Sequence, residues 1–142
     1  MVGALERNLH IIQWNARSIK QNISDFTITL YTTKPDVAAI QETHLKPNSK
    51  FKPENSFVSY DIIRKDRLFR KAGGLMIVIR KDLIYNEKIL QPYPNGKLEV
   101  QVVTIKEKSY DLDIMNVYNA PNNTIDKTES YTTRISFQEN SI

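Results

Sequence analysis

Short apolar runs set between turn-forming residues give this chain its texture. Val37-Ala-Ala-Ile40 follows Pro35, and Leu75-Met-Ile-Val-Ile79 follows Gly73-Gly74. Four to six continuous apolar residues bounded in this way predict strands buried on both faces. Leu9–Trp14 predicts a first strand with Asn15 at its exit, and Tyr60–Arg64 predicts another. Leu98–Ile105 and Leu112–Tyr118 read as two strands of a hairpin joined near Glu107-Lys-Ser109. Their alternation is partial, so one face is expected to be half buried.

Ile23, Phe26 and Leu30 recur at spacings of three and four, which predicts a short helix over Asn22–Tyr31. Asn22 or Ser24 would cap it, while the threonines of its second half weaken it. Pro35 stops the helix and feeds the next strand, so strand, helix and strand open the chain as a β-α-β unit and the class is α/β. Thr43–Ser59 is polar, carries Pro47 and Pro53, and predicts a long surface loop. Gly73-Gly74 reads as a bend into the following strand in preference to a phosphate-cradling turn. Asn95-Gly96, within Pro92-Tyr-Pro-Asn-Gly96, is the strongest two-residue turn signal. From Asn123 onward the chain is rich in Thr, Ser, Asn and Glu, which fits a weak helix or a mobile tail.

Composition narrows the function classes. At 142 residues, 40% hydrophobic and 25% charged, the chain suits one globular domain with a real core. The lack of cysteine removes disulfides and thiolate metal sites. No apolar run approaches the roughly 18 residues of a membrane span, and Met-Val-Gly-Ala-Leu-Glu-Arg-Asn lacks a signal-peptide core. An intracellular protein with no membrane partner is expected. The net charge of +4 is unevenly placed. Between His44 and Ala72, Lys46, Lys50, Lys52, Arg64, Lys65, Arg67, Arg70 and Lys71 face only Glu54, Asp61 and Asp66, a local +5 that leaves the rest near −1. A solvated loop is the plain reading of such a run. Its position directly after Glu42 favours a phosphate-facing one, because the same rim would meet a polyanion. Glu42 itself stands at the C-terminal mouth of a buried strand, where open α/β sheets present ligand sites.

Four blocks carry a resemblance. Leu9-His-Ile-Ile-Gln-Trp-Asn-Ala-Arg-Ser18, Pro35-Asp-Val-Ala-Ala-Ile-Gln-Glu-Thr43, Gly73-Gly-Leu-Met-Ile-Val-Ile79 and Met115-Asn-Val-Tyr-Asn-Ala-Pro-Asn122 occur in that order. Together they resemble the endonuclease/exonuclease/phosphatase family, specifically the endonuclease domain of non-LTR, jockey-like retrotransposons. The resemblance implies part of a four-layer α/β sandwich, two mixed β-sheets flanked by helices. It assigns residues 1–122 to a truncated domain of that kind and leaves residues 123–142 as an off-pattern polar tail. The family's later blocks, Gly-Asp-Phe-Asn and Ser-Asp-His, have no counterpart before Ile142.

The same resemblance implies a Mg²⁺- or Mn²⁺-dependent phosphodiesterase. Glu42 would be the metal ligand, Asn15 the organising amide, Tyr118 the phosphate-contacting hydroxyl and Asn122 a residue of the rim. These residue types suit the task. A hard divalent ion prefers one or two carboxylates plus water, an amide orients without adding charge, and a phenol can donate to an oxygen as charge develops on it. DNA would be the partner, met by the eight basic residues, and the remainder of a longer polyprotein with a reverse transcriptase would follow. The location would be nuclear if the target is chromosomal. The general base and the second ligand set lie in the missing blocks; His10 sits inside a strand, and nothing in the sequence supplies His44 with an orienting carboxylate. The fragment is therefore expected to be inactive, with a non-catalytic nucleic-acid-binding remnant as the alternative. Truncation is also expected to leave Leu75–Ile79 and Val100–Ile105 with exposed apolar surface.

Overall fold

In the computed structural model, which describes residues 8–52, 57–68, 72–91 and 98–121, β1 (Ile11–Asn15), α1 (Ile23–Thr33) and β2 (Val37–Gln41) form the opening β-α-β unit. β1 and β2 are parallel, in register from Ile11 opposite Val37 to Asn15 opposite Gln41. β3 (Tyr60–Lys65) and β4 (Leu75–Arg80) complete a mixed four-stranded sheet of order β1-β2-β4-β3. The two central strands are the two continuous apolar runs. Val37–Ile40 and Leu75–Ile79 are at most 6% exposed, so the expected apolar exposure of Leu75–Ile79 is not found.

One face of this sheet is closed by α1. Phe26 and Leu30, one turn apart on the helix, pack with Ala38, Ile40, Met76 and Val78. Trp14 stacks on Phe26, with centroids 5.2 Å apart and planes 4° from parallel. The threonines are accommodated within the helix, where Thr29, Thr32 and Thr33 donate back to the carbonyls of Asp25, Ile28 and Thr29 at 2.7–2.9 Å. Asn22 occupies the N-cap position without capping. Its amide instead donates to the carbonyls of Ala16 at 2.8 Å and Ser18 at 3.2 Å, and Lys34 ends the helix in a left-handed conformation. At the opposite end of the sheet, buried Asp36 accepts from the His10 amide at 2.7 Å and from Arg80 at 2.9 Å. Tyr60 donates to the Pro35 carbonyl at 2.8 Å, and burial pushes its phenol up.

These elements belong to the first of two compact units, Met1–Lys81; the second is Asp82–Ile142. It holds an antiparallel sheet of order β5-β6-β7, from β5 (Tyr85–Lys88), β6 (Leu98–Lys106) and β7 (Asp111–Asn119). The expected hairpin is β6–β7, closed by the Glu107 amide on the Tyr110 carbonyl at 3.0 Å. β5 has no apolar run and goes unforeseen in the sequence. β6 is buried on both faces from Val100 to Ile105, none more than 6% exposed, so the apolar exposure expected there is not found. The half-buried character expected of the hairpin lies in β7, most of whose residues are partly exposed. The Asn95-Gly96 turn and the tail from Asn123 lie outside the described residues.

Candidate active site

The first unit concentrates its unusual backbone at one corner. Beyond the ends of β1 and β2 the parallel ladder continues, with Ala16, Ser18 and Ile19 donating to the carbonyls of Gln41, Glu42 and Thr43 at 2.8–3.0 Å. On the other side Thr43 and His44 donate to the carbonyls of Gly74 and Gly73 at 3.2 and 2.9 Å. Glu42 is thus stitched between the segment leaving β1 and the segment entering β4. Arg17, Ser18, Glu42, His44 and Ala72 all have φ between 44° and 84°. Left-handed conformations in non-glycine residues cost about 1–2 kcal/mol each, and such strain gathers where a site demands it. Gly74, at φ 89°, is required sterically. A Cβ there would lie 2.5 Å from the Thr43 hydroxyl oxygen.

The corner sets a carboxylate between an amide and an imidazole. Asn15 donates from Nδ2 to Glu42 Oε1 at 3.2 Å, while its own Oδ1 accepts the Arg17 amide at 3.3 Å, which fixes the amide's orientation. His44 Nε2 lies 3.5 Å from Glu42 Oε2. Beneath them Gln13 donates to buried Gln41. The Glu42 side chain remains 20% exposed, so it is both held and reachable. Its donor chemistry fits a hard divalent cation. Among the described residues no group of three or more His, Cys, Asp or Glu gathers. Such an ion would therefore be held by Glu42 with water in most other positions, the manner Mg²⁺ favours.

Tyr118 is half-buried on β7, opposite Glu99 and on the face that carries buried Gln101 and Asn116. It belongs to the second unit, whereas Asn15 and Glu42 meet within the first. Asn122 lies outside the described residues, as do Arg70 and Lys71. Lys46, Lys50 and Lys52 are exposed, and Lys65 and Arg67 are half-buried. Arg64 is half-buried. Its guanidinium makes a fork to Asp66, at 3.2 and 2.7 Å, and reaches the carbonyls of Ser49 and Lys46 at 2.9 and 3.1 Å. It is a clamp on the loop.

With this arrangement of strands and corner, the chain superposes on solved nuclease structures. The endonuclease domain of TRAS1, a telomere-specific non-LTR retrotransposon, matches with a TM-score of 0.56 at 18% identity, over 82% of this chain and 48% of that one. An AP endonuclease from Leishmania major matches with 0.56 at 17% identity, over 78% and 40%. An AP endonuclease from Archaeoglobus fulgidus matches with 0.52 at 23% identity, over 78% and 41%. The chain has the endonuclease/exonuclease/phosphatase fold. No protein-family model and no curated protein sequence matches it. The chain spans less than half the length of these endonuclease/exonuclease/phosphatase structures.

Within this endonuclease/exonuclease/phosphatase fold, several contributors to the corner escape a reading by residue type. Asn22 pins the Ala16–Ser18 turn from a position that reads as a helix cap. Thr43 and Gly74 fit together across 31 positions of sequence, a pairing no local pattern announces. Asp66 neutralises Arg64 from two residues away, and that spacing was the available signal. Among the described residues no helix is long and apolar enough to cross a membrane.

Proposed function

We propose that this chain is the N-terminal portion of a divalent-metal-dependent phosphodiesterase acting on DNA, the target-nicking endonuclease domain of a non-LTR retrotransposon. The observation that carries the proposal is Glu42, held by Asn15 at the end of β2 in an endonuclease/exonuclease/phosphatase fold. The ordered sequence blocks and the likeness to the TRAS1 endonuclease domain support the retrotransposon lineage. In this reading Glu42 holds Mg²⁺ or Mn²⁺, and Asn15 sets the carboxylate's orientation. When bound, the ion neutralises phosphate charge and stabilises the leaving oxygen. Tyr118 would donate its hydroxyl to a non-bridging phosphate oxygen, and Asn122 would belong to the rim. A reverse transcriptase on the same polyprotein and a nuclear site of action follow from the same lineage.

One observation favours a second reading for the 142-residue chain taken alone, a nucleic-acid-binding remnant without catalysis. His44, the candidate base beside the site, has Glu42 itself as its carboxylate neighbour. Service as a base would therefore compete with the metal for the same group. A supercoiled-plasmid nicking assay in Mg²⁺ and in Mn²⁺ decides, run on this chain and on a version extended through the two later blocks. We expect nicking by the extended chain only, falling at least about a hundredfold in Glu42→Ala. Nicking that survives Glu42→Ala would overturn the assignment. Inactivity of both chains with DNA binding intact would favour the remnant.

A further inference from the structure

We infer that Lys46–Lys52 is a preorganised hook for the phosphate backbone of a nucleic acid, and that Arg64 is the positioning residue that builds it. The loop is polar by composition, yet it is anchored along its length. Thr43 and His44 are bonded to the segment before β4. Leu45 is 4% exposed in the core. Phe51 packs edge-on against Phe57, with centroids 6.3 Å apart and planes at 88°. Between those anchors Ser49 closes a turn on Lys46, donating its amide to the Lys46 carbonyl at 2.8 Å and accepting the Lys46 amide on its hydroxyl at 3.2 Å.

Arg64 locks that turn from outside. It holds the carbonyls of Lys46 and Ser49 while Asp66 grips the same guanidinium. The Arg64 and Asp66 side chains are 24% and 11% exposed, so the fork is largely withdrawn from solvent. Lys46, Lys50 and Lys52 remain exposed, and no ion pair joins them to another described residue. The loop therefore presents three cations on a fixed backbone. A ligand meeting it does not have to order the loop first, which is where preorganisation raises affinity. Three lysines spread along one loop suit a polymer with many phosphates better than a single small anion.

The inference rests on the nuclease reading only for the choice of polyanion, and its test needs no metal. Binding of a fluorescein-labelled 20-base-pair DNA duplex is measured by anisotropy in EDTA, from 50 to 200 mM salt. Triple replacement of Lys46, Lys50 and Lys52 by Ala should reduce the slope of log K against log salt by about 2–3. Asp66→Asn is the discriminating variant. It removes a negative charge, so simple electrostatics predicts tighter binding; loss of the clamp predicts binding about three- to tenfold weaker. Arg64→Lys keeps the charge without the planar fork and should behave like Asp66→Asn. Urea midpoints within a few tenths molar of the parent show that the variants are folded, and faster hydrogen exchange at the Ser49 amide reports the opened turn. Equal or tighter binding by Asp66→Asn, or an unchanged slope in the triple variant, overturns the inference. Absence of nicking by the extended chain with this binding pattern intact would instead sink the nuclease reading and leave the hook standing.

Discussion

Gly74→Ala is the most informative single change at the corner, because its cost divides into two separable parts. The new Cβ would sit 2.5 Å from the Thr43 hydroxyl oxygen, while the next nearest atoms, the Thr43 Cβ and the His44 nitrogen, are at 3.8 Å. Thr43 is 1% exposed, so its β-branched side chain has no open rotamer to escape into. Overpacking of this kind costs about 1–3 kcal/mol. The alanine must also adopt φ near 89°, which adds about 1–2 kcal/mol. The total, about 2–5 kcal/mol, is a large fraction of the 5–15 kcal/mol typical of a domain. Thr43→Ala removes the clashing oxygen, at the cost of the long 3.4 Å acceptance of the Leu45 amide and of a buried γ-methyl group. In the Thr43→Ala background Gly74→Ala should therefore cost only its backbone term. Urea unfolding of the four proteins gives the cycle, and a coupling of about 1–3 kcal/mol in favour of the double variant is expected. Additive effects within about 0.5 kcal/mol would show that Thr43 is not what excludes a side chain at Gly74.

Two further expectations follow from charged pairs. Burial pushes the Asp113 carboxyl up, but hydrogen bonds from Lys88 and Thr104 and the charges of Lys88 and Lys106 outweigh it and hold the carboxyl below its usual value. A depressed carboxylate stabilises the fold above its unfolded pKa of about 3.9 and loses that contribution as pH falls through the folded value. Asp113→Asn should thus be less stable than the parent at pH 7, the gap closing below about pH 4; a gap in urea midpoint that stays constant with pH would contradict this. Asp36→Ala removes the carboxylate that accepts from Arg80 at 2.9 Å and from the His10 amide at 2.7 Å. Because the Arg80 side chain is 36% exposed, we expect about 2–3 kcal/mol, below the 3–5 of a fully buried pair, and a loss under 1 kcal/mol in urea unfolding would refute it.

The strands most legible in the sequence were those with no choice of face. Val37–Ile40 and Leu75–Ile79 are buried on both sides, so every position is apolar and the run is continuous. β5 escaped because a four-residue edge strand of polar residues carries no period to detect. At the site, Glu42 and Asn15 could be placed at strand ends by counting, but their hydrogen bond depends on the parallel register of β1 on β2. The Arg64–Asp66 fork is hidden for a related reason: a charge count sums the two residues, and only the fold shows them as one pair. The loop after Glu42 reads as surface from its prolines and lysines, and only the positions of Leu45 and Phe51 betray that it is pinned.

The strand order has a consequence for how the corner comes into being. β4 lies between β2 and β3, although β3 precedes it in the chain. The β1-α1-β2 unit closes locally, but the amides of Thr43 and His44 find their acceptors in Gly74 and Gly73. During synthesis, then, the segment carrying Glu42 emerges some thirty residues before the strand that fixes it. Until β3 and β4 have been made and inserted beside β2, the carboxylate hangs on a half-formed edge, with the lysine loop beside it still unclamped. Assembly of the corner is coupled to the late, non-local step of strand pairing, the kind that closes slowly because a long loop must be ordered first. A nascent chain of this protein can therefore complete its first β-α-β unit while the corner around Glu42 still lacks the partners that Gly73 and Gly74 bring.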